Sequence, residues 1–87
     1  MIYEEDKFII KDENGEEKEF YKMITFSSSI TNKTYLIYTD NKYTDGKLNI
    51  YSSIIKGDSD NIEFVKITDE TDKNEVNKAL LQFKISV

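Results

Sequence analysis

The fold is decided by the stretch TYLIYT at residues 34–39. All but one of its positions hold β-branched or aromatic residues, which favour extended strands. Large apolar side chains stand at both odd and even positions, so a strand here presents an apolar surface on each of its faces. We therefore predict a central β-strand whose two faces both need covering.

Four further segments have strand-like composition. The first two flank the pair Asn14-Gly15, which favours a type I′ hairpin turn, and Asp45-Gly46 precedes the fourth strand in the same way. The residues at 27–33 and 41–46 are polar and predict loops. The predicted strands are 7–11, 17–26, 34–39, 47–55 and 62–67.

The second predicted strand carries apolar side chains on both parities. Phe20, Ile24 and Phe26 share one parity, and Tyr21 and Met23 share the other. Since side chains alternate between the faces of a strand, Phe20 and Phe26 are expected on the same face.

After Thr68 the apolar spacing changes to that of a helix. Asp72 and Glu75 match an Asp-x-x-Glu helix start, and early acids suit the positive end of the helix dipole. We predict a C-terminal helix of about 14 residues. Its core-facing stripe, at i, i+3, i+4 and i+7, consists of Val76, Ala79, Leu80 and Phe83.

Together these elements predict an α+β domain: an antiparallel meander of about five strands with one C-terminal helix packed on one face. One helix covers only one face of a sheet. The second apolar face requires either that the sheet curls into a partial barrel or that another chain covers it. Both a monomer and a homodimer remain open on this reasoning.

The chain has 87 residues, enough for a single domain at 1–87, with a flexible acidic N-terminus predicted at 1–6. It contains neither His nor Cys, which excludes thiol and imidazole catalysis, disulfides and ordinary zinc, haem or iron–sulfur sites. No nucleophile–base pair can be named among the carboxylates, lysines and hydroxyls that remain, so we predict that the protein is not an enzyme and binds no cofactor.

The net charge and the hydropathy of the chain indicate which classes of partner to expect. Twelve lysines stand against seventeen acidic residues, a net charge of −5, and this balance disfavours direct binding of nucleic acid. The chain has no apolar run long enough to span a membrane, and residues 1–6 lack the features of a secretory signal. A cytoplasmic location and an unidentified protein partner are therefore expected.

The sequence contains two candidate sites. Asp58, Asp60 and Glu63 suggest a calcium loop, but an EF-hand register would need an oxygen ligand where Ile62 stands, so a solvated turn and no metal site are predicted. The second candidate is a tyrosine surface for protein contact, since tyrosine is favoured at interfaces; the alternative is that these tyrosines pack inside the domain. Its members are Tyr21, Tyr35, Tyr38 and Tyr51.

The order and spacing of these segments resemble the domain-of-unknown-function family 1292, the YrzB-like short proteins of low-GC Gram-positive bacteria. The resemblance implies a small acidic cytoplasmic protein with no established activity, so no catalytic or ligand residue is carried over. The chain departs from the family in its lysine-rich middle region and in lacking a bulky aromatic residue early in the helix. The matching pieces are 8–10, 12–17, 20–26, 35–38, 50–53 and 67–70.

Function remains open between two binding roles. The leading hypothesis is a small acidic cytoplasmic interaction or regulatory module without enzymatic activity. The alternative is an acidic mimic that blocks a basic nucleic-acid-binding surface of another protein. Its decoy charges would be Glu4, Glu5, Asp6, Asp12, Glu13, Glu16, Glu17 and Glu19.

Overall fold

The computed structural model describes residues 7–57 and 62–82, and residues 1–6, 58–61 and 83–87 lie outside the described part. Five strands form one antiparallel sheet in chain order, followed by one helix, which confirms the predicted α+β meander. The elements are β1 (Lys7–Lys11), β2 (Glu17–Ser28), β3 (Lys33–Thr44), β4 (Lys47–Gly57), β5 (Ile62–Val65) and α1 (Glu70–Gln82).

The sheet is curled into a half-barrel. Phe8 of β1 and Phe64 of β5 stack with their ring centroids 5.6 Å apart, although a flat five-stranded sheet would hold its two edge strands about 19 Å apart. The face that carries these rings is therefore the inner face of the curl. Its aromatic cluster consists of Phe8, Phe20, Tyr38, Tyr51 and Phe64.

The opposite, outer face carries the helix and the main core. The central residues are the fully buried Tyr35 and Ile37 of β3, together with Ile54 of β4. Val76, Ala79 and Leu80 of α1 pack against them, as predicted, whereas Phe83 lies outside the described residues. Apolar residues of α1 stabilise the fold by removing this outer surface from water. Half-buried neighbours are Met23, Ile24, Phe26, Ile50, Val65 and Ile67.

The prediction that Phe20 and Phe26 lie on the same face of the sheet is wrong. The β2–β3 register shifts between Lys22 and Ile24, which indicates a β-bulge. An extra residue in a strand moves every later side chain to the opposite face of the sheet from the one that simple alternation predicts. Phe26 therefore lies on the outer face, while the ring of Phe20 packs edge-on against Tyr38 on the inner face.

The two hairpin turns differ from each other. Asp45 and Gly46 have φ values of 53° and 79° and join β3 to β4 as a two-residue turn of the predicted primed kind. Between β1 and β2, only Gly15 has a positive φ, 78°, whereas Asn14 does not. The type I′ prediction there is wrong. The side chain of Asp12 accepts the backbone N–H groups of Asn14 and Glu16, which stabilises a longer turn.

The helix begins at Glu70, two residues earlier than its predicted start at Asp72. Asp69 is the N-cap: its carboxylate accepts the backbone N–H of Thr71 at 2.8 Å. Asp72, predicted as the first residue, lies within the first turn and is only 2% exposed. No helix among residues 7–57 and 62–82 has the length and hydropathy required to cross a membrane.

Candidate functional site

The sheet forks at one end. Pairing between β2 and β3 ends at Tyr21 opposite Thr39, although β2 begins earlier, at Glu17, and β3 continues to Thr44. Beyond this point β2 pairs only with β1, and β3 pairs only with β4. No backbone pair of the described residues joins 17–20 to 40–44. Two strand edges thus diverge and leave a cleft between them.

The fork is caused by a bulge in β3. Its register with β4 is regular up to Thr39 opposite Ile50, and it resumes only at Tyr43 opposite Leu48. Asn41, at the middle of the bulge, has a φ of 60°, a left-handed conformation that Asn tolerates better than most residues. The extra length turns the end of β3 away from β2.

Side chains hold the bulge in place. The hydroxyl of Thr39 donates to the carbonyl of Asn49 at 2.6 Å and accepts the backbone N–H of Asn41 at 3.1 Å. The carboxylate of Asp40 accepts the backbone N–H of Lys42 at 2.9 Å. These hydrogen bonds take the place of the interstrand backbone hydrogen bonds that are lost at the bulge. The fork is therefore stabilised by specific side chains of the fold.

The cleft has a volume of about 680 Å³, within the range of small-ligand and peptide pockets. Two aromatic rings from different strands meet in it: Phe20 and Tyr51 lie edge-on with centroids 5.6 Å apart. Acidic and basic side chains line the remainder. Among the described residues, the lining consists of Glu17, Lys18, Glu19, Phe20, Tyr21, Asp40, Asn41, Lys42 and Tyr51.

A hydrogen bond between Asp40 and Tyr51 lies at the cleft. The Tyr51 hydroxyl donates to the Asp40 carboxylate at 3.0 Å, and the side-chain amide of Asn49 donates to the same oxygen at 3.5 Å. Burial, and then the hydrogen bond to Asp40, raise the pKa of the Tyr51 phenol. Tyr51 therefore stays protonated at neutral pH and acts as a hydrogen-bond donor.

Asn41 contributes an unsatisfied polar group. Both its side-chain nitrogen and its side-chain oxygen are buried, with no hydrogen-bond partner among the residues that the structure describes. A buried polar group without a partner costs stability. A ligand in the cleft can supply both a donor and an acceptor to this amide when the side chain turns toward it.

A second polar cluster joins the helix to the sheet. The Tyr35 hydroxyl donates to Asp72 at 2.6 Å, and the Lys33 ammonium binds the same carboxylate at 3.0 Å. These two hydrogen bonds hold the pKa of Asp72 below its ordinary value. Burial, followed by the bond to Asp72, raises the pKa of Tyr35. Thr31 satisfies the Tyr35 oxygen at 2.6 Å, so this cluster is internally complete and serves to fix the helix.

A neighbouring contact has the same role. The Ser28 hydroxyl donates to Glu75 at 2.6 Å, and Lys78 binds the same carboxylate at 2.9 Å. The bond from Ser28, and then that from Lys78, lower the pKa of Glu75. Asp72 and Glu75 of the helix are thus both matched to partners of their own chain.

The four candidate contact tyrosines do not form one surface. Tyr21 and Tyr35 lie on the outer face of the sheet, and Tyr38 and Tyr51 on the inner face. Tyr21, Tyr35 and Tyr38 are buried, whereas Tyr51 is 40% exposed. Tyr51 is therefore the member of this set that a partner can reach most readily.

For metal binding, the described residues contain no group of three or more carboxylates placed to hold an ion. Asp58 and Asp60 of the rejected calcium loop lie outside the described residues, and Glu63 is exposed at the start of β5.

Of the cleft residues, Tyr21 and Tyr51 are among the tyrosines predicted from the sequence. Phe20, Asp40 and Asn41 are not predicted as site residues. The polar segment 41–46, which ends in Asp45-Gly46, predicts a loop, whereas β3 runs through to Thr44. The signal available was Asn41 itself, since Asn within a strand is typical of a bulge with a left-handed residue.

No family model matches the chain, and no curated protein or solved structure is significantly similar to it. The resemblance to the YrzB-like family therefore stays a prediction.

Proposed function

We propose that this chain is a non-enzymatic interaction or regulatory module of the cytoplasm that binds another protein through the cleft. The observation that carries the proposal is the fork itself, where two unpaired strand edges stand beside the aromatic pair Phe20 and Tyr51. Unpaired strand edges and reachable aromatic rings are both typical of protein contact sites.

The chemistry of the cleft supports binding over catalysis. The chain has no His or Cys to serve as nucleophile or imidazole base. The Asp40 carboxylate is already hydrogen-bonded by Tyr51 and by the backbone of Lys42. What the cleft offers a partner is hydrogen-bonding groups, charge and aromatic surface.

The test is quantitative affinity capture from an extract of the native host, with the full chain as bait. The site variant is Tyr51→Ser. The matched control is Tyr43→Ser, which removes a tyrosine that is 60% exposed on the neighbouring strand and outside the cleft lining. Far-ultraviolet circular dichroism checks that both variants fold.

We expect a protein that the wild type and Tyr43→Ser retain equally and that Tyr51→Ser loses. If the wild type and both variants retain that protein equally, the cleft is not the contact site. If none of them enriches a specific protein, the interaction role itself is wrong.

A second candidate role, the acidic mimic, is favoured by the exposed position of Glu13, Glu16 and Glu17 in the β1–β2 hairpin. Other members of the decoy set have cationic neighbours: Asp12 lies 3.9 Å from Lys18, and Glu19 lies 3.6 Å from Lys7. Three more, at 4–6, lie outside the described residues.

Salt dependence separates the two roles. Capture by a charge mimic weakens steeply as salt rises, because its affinity comes from exposed charges that ions screen. Capture through the cleft weakens less steeply, because contact with its aromatic rings is not screened by salt. The double variant Glu13→Gln and Glu16→Gln should weaken binding only in the mimic role, because neither residue lines the cleft.

A further inference from the structure

We infer that the cleft binds an extended polypeptide segment, which adds as a strand to the free edge of β2 and carries alternating apolar and basic side chains. This inference rests on the proposed function and specifies its partner. Strand addition draws affinity from backbone hydrogen bonds and specificity from the alternate side chains.

The direction of the free backbone groups follows from the β1–β2 hairpin. At its closed end, the backbone N–H of Asp12 donates to the carbonyl of Glu16 at 2.9 Å. In an antiparallel ladder every second pair is hydrogen-bonded, so Lys18 and Phe20 direct their backbone groups toward β1. The backbone groups of Glu17 and Glu19 consequently point away from β1, into the cleft.

The length of the free edge sets the length of the ligand. The unpaired part of β2 runs over the four residues 17–20, which span about 13 Å. Asn41 lines the opposite wall, and its unpartnered amide offers one donor and one acceptor. A peptide group needs one of each, so a backbone in the cleft satisfies Asn41 as well.

The two faces of the cleft set the side chains of the ligand. Side chains directly opposite each other on paired strands lie on the same face. A strand beside β2 therefore places every second side chain on the inner face, against Phe20 and Tyr51. Its other side chains lie on the outer face, near Glu17 and Glu19. Apolar residues suit the first set and lysines suit the second.

The probe is the acetylated and amidated hexapeptide Thr-Lys-Val-Lys-Ile-Thr, titrated into the full-length isotope-labelled protein and followed by backbone amide resonances. We expect saturable, sub-millimolar binding that shifts the amides of Glu17 and Glu19. The peptide Thr-Glu-Val-Glu-Ile-Thr has the same apolar residues and the opposite charge. Its dissociation constant should be at least about tenfold higher.

Backbone methylation tests the strand geometry. Two versions of the probe carry N-methyl groups, one on both lysines and the other on Val and Ile. Because a strand directs alternate N–H groups to opposite sides, one version should lose about tenfold or more in affinity and the other should lose little. If both versions bind like the parent peptide, strand addition is wrong.

Asn41→Gly is the matched protein variant, because glycine keeps the left-handed backbone at φ 60° while the amide is removed. We expect it to weaken probe binding by about fivefold. If Asn41→Gly binds the probe as tightly as the wild type does, the Asn41 amide is not part of the binding site. If the probe shows no saturable binding to the wild type, the inference is wrong. Neither result touches the capture experiment with Tyr51→Ser, which tests the proposed function by itself.

Discussion

The hydroxyl of Tyr35, in the middle of the sheet, donates a hydrogen bond of 2.6 Å to the carboxylate of Asp72 in the first turn of the helix. Tyr35 is fully buried and Asp72 is 2% exposed. A buried carboxylate is tolerated only where it is hydrogen-bonded and paired, and here Lys33 supplies the positive charge. This contact therefore fixes where α1 crosses the outer face.

Replacing Tyr35 by Phe should destabilise the domain by about 1–2 kcal/mol, because the bond to a buried carboxylate is lost while the ring stays in the core. The measurement is the free energy of unfolding from urea denaturation. Tyr43→Phe is the control, since Tyr43 is 60% exposed, and should change stability little. Equal stabilities for Tyr35→Phe and the wild type would contradict the role of this bond.

Acid should destabilise the folded state through Asp72 and Glu75. The pKa of each carboxyl is lower in the folded protein than its ordinary value, so each contributes stability above that value. This stability is lost as the pH falls below about 4, where the unfolded chain takes up protons first. Urea denaturation of Asp72→Asn at neutral pH should show lower stability, and its further loss down to pH 2 should be smaller than that of the wild type. Parallel curves for the two proteins would refute the assignment to Asp72.

Truncation of Leu80 should be costly. Leu80 is buried against the outer-face core, and Leu80→Ala removes that contact and leaves a cavity, at a cost of about 2–5 kcal/mol. Its chain neighbour Leu81 is 80% exposed, so Leu81→Ala should change stability by less than about 0.5 kcal/mol. If chemical denaturation gives the same loss for both variants, α1 does not pack as described.

The chain should be a monomer in solution. The curl of the sheet partly closes the second apolar face, since the rings of Phe8 and Phe64 meet across its inner side. Tyr51 and Phe64 of this face stay 40% and 38% exposed. Sedimentation equilibrium at high concentration should give a mass near 10.2 kDa. A species of twice that mass, converted to the monomer by Tyr51→Lys, would show instead that another copy covers the inner face.

Local signals in the sequence determined the elements and their order. The strand at 34–39, the turn at Asp45 and Gly46, and the stripe of Val76, Ala79 and Leu80 all follow from side-chain period and turn chemistry within a few neighbouring residues. The need to cover a second apolar face also followed, because apolar residues on both parities of the sheet leave a face that one helix does not cover. That the sheet curls was decided by the tertiary structure.

Only the tertiary structure decided the bulges and the cleft. The register shift after Lys22 places Phe20 and Phe26 on opposite faces, and the bulge at Asn41 separates β3 from β2. Asn41 is a local signal for the second bulge, but the sequence alone places neither bulge, because the energy of a bulge depends on which cross-strand partners and which capping side chains are within reach. Thr39 reaches the carbonyl of Asn49 only after the strands have paired. Alternation along the sequence determines the face of each side chain within a regular strand. The pairing of the strands determines where a bulge interrupts that alternation.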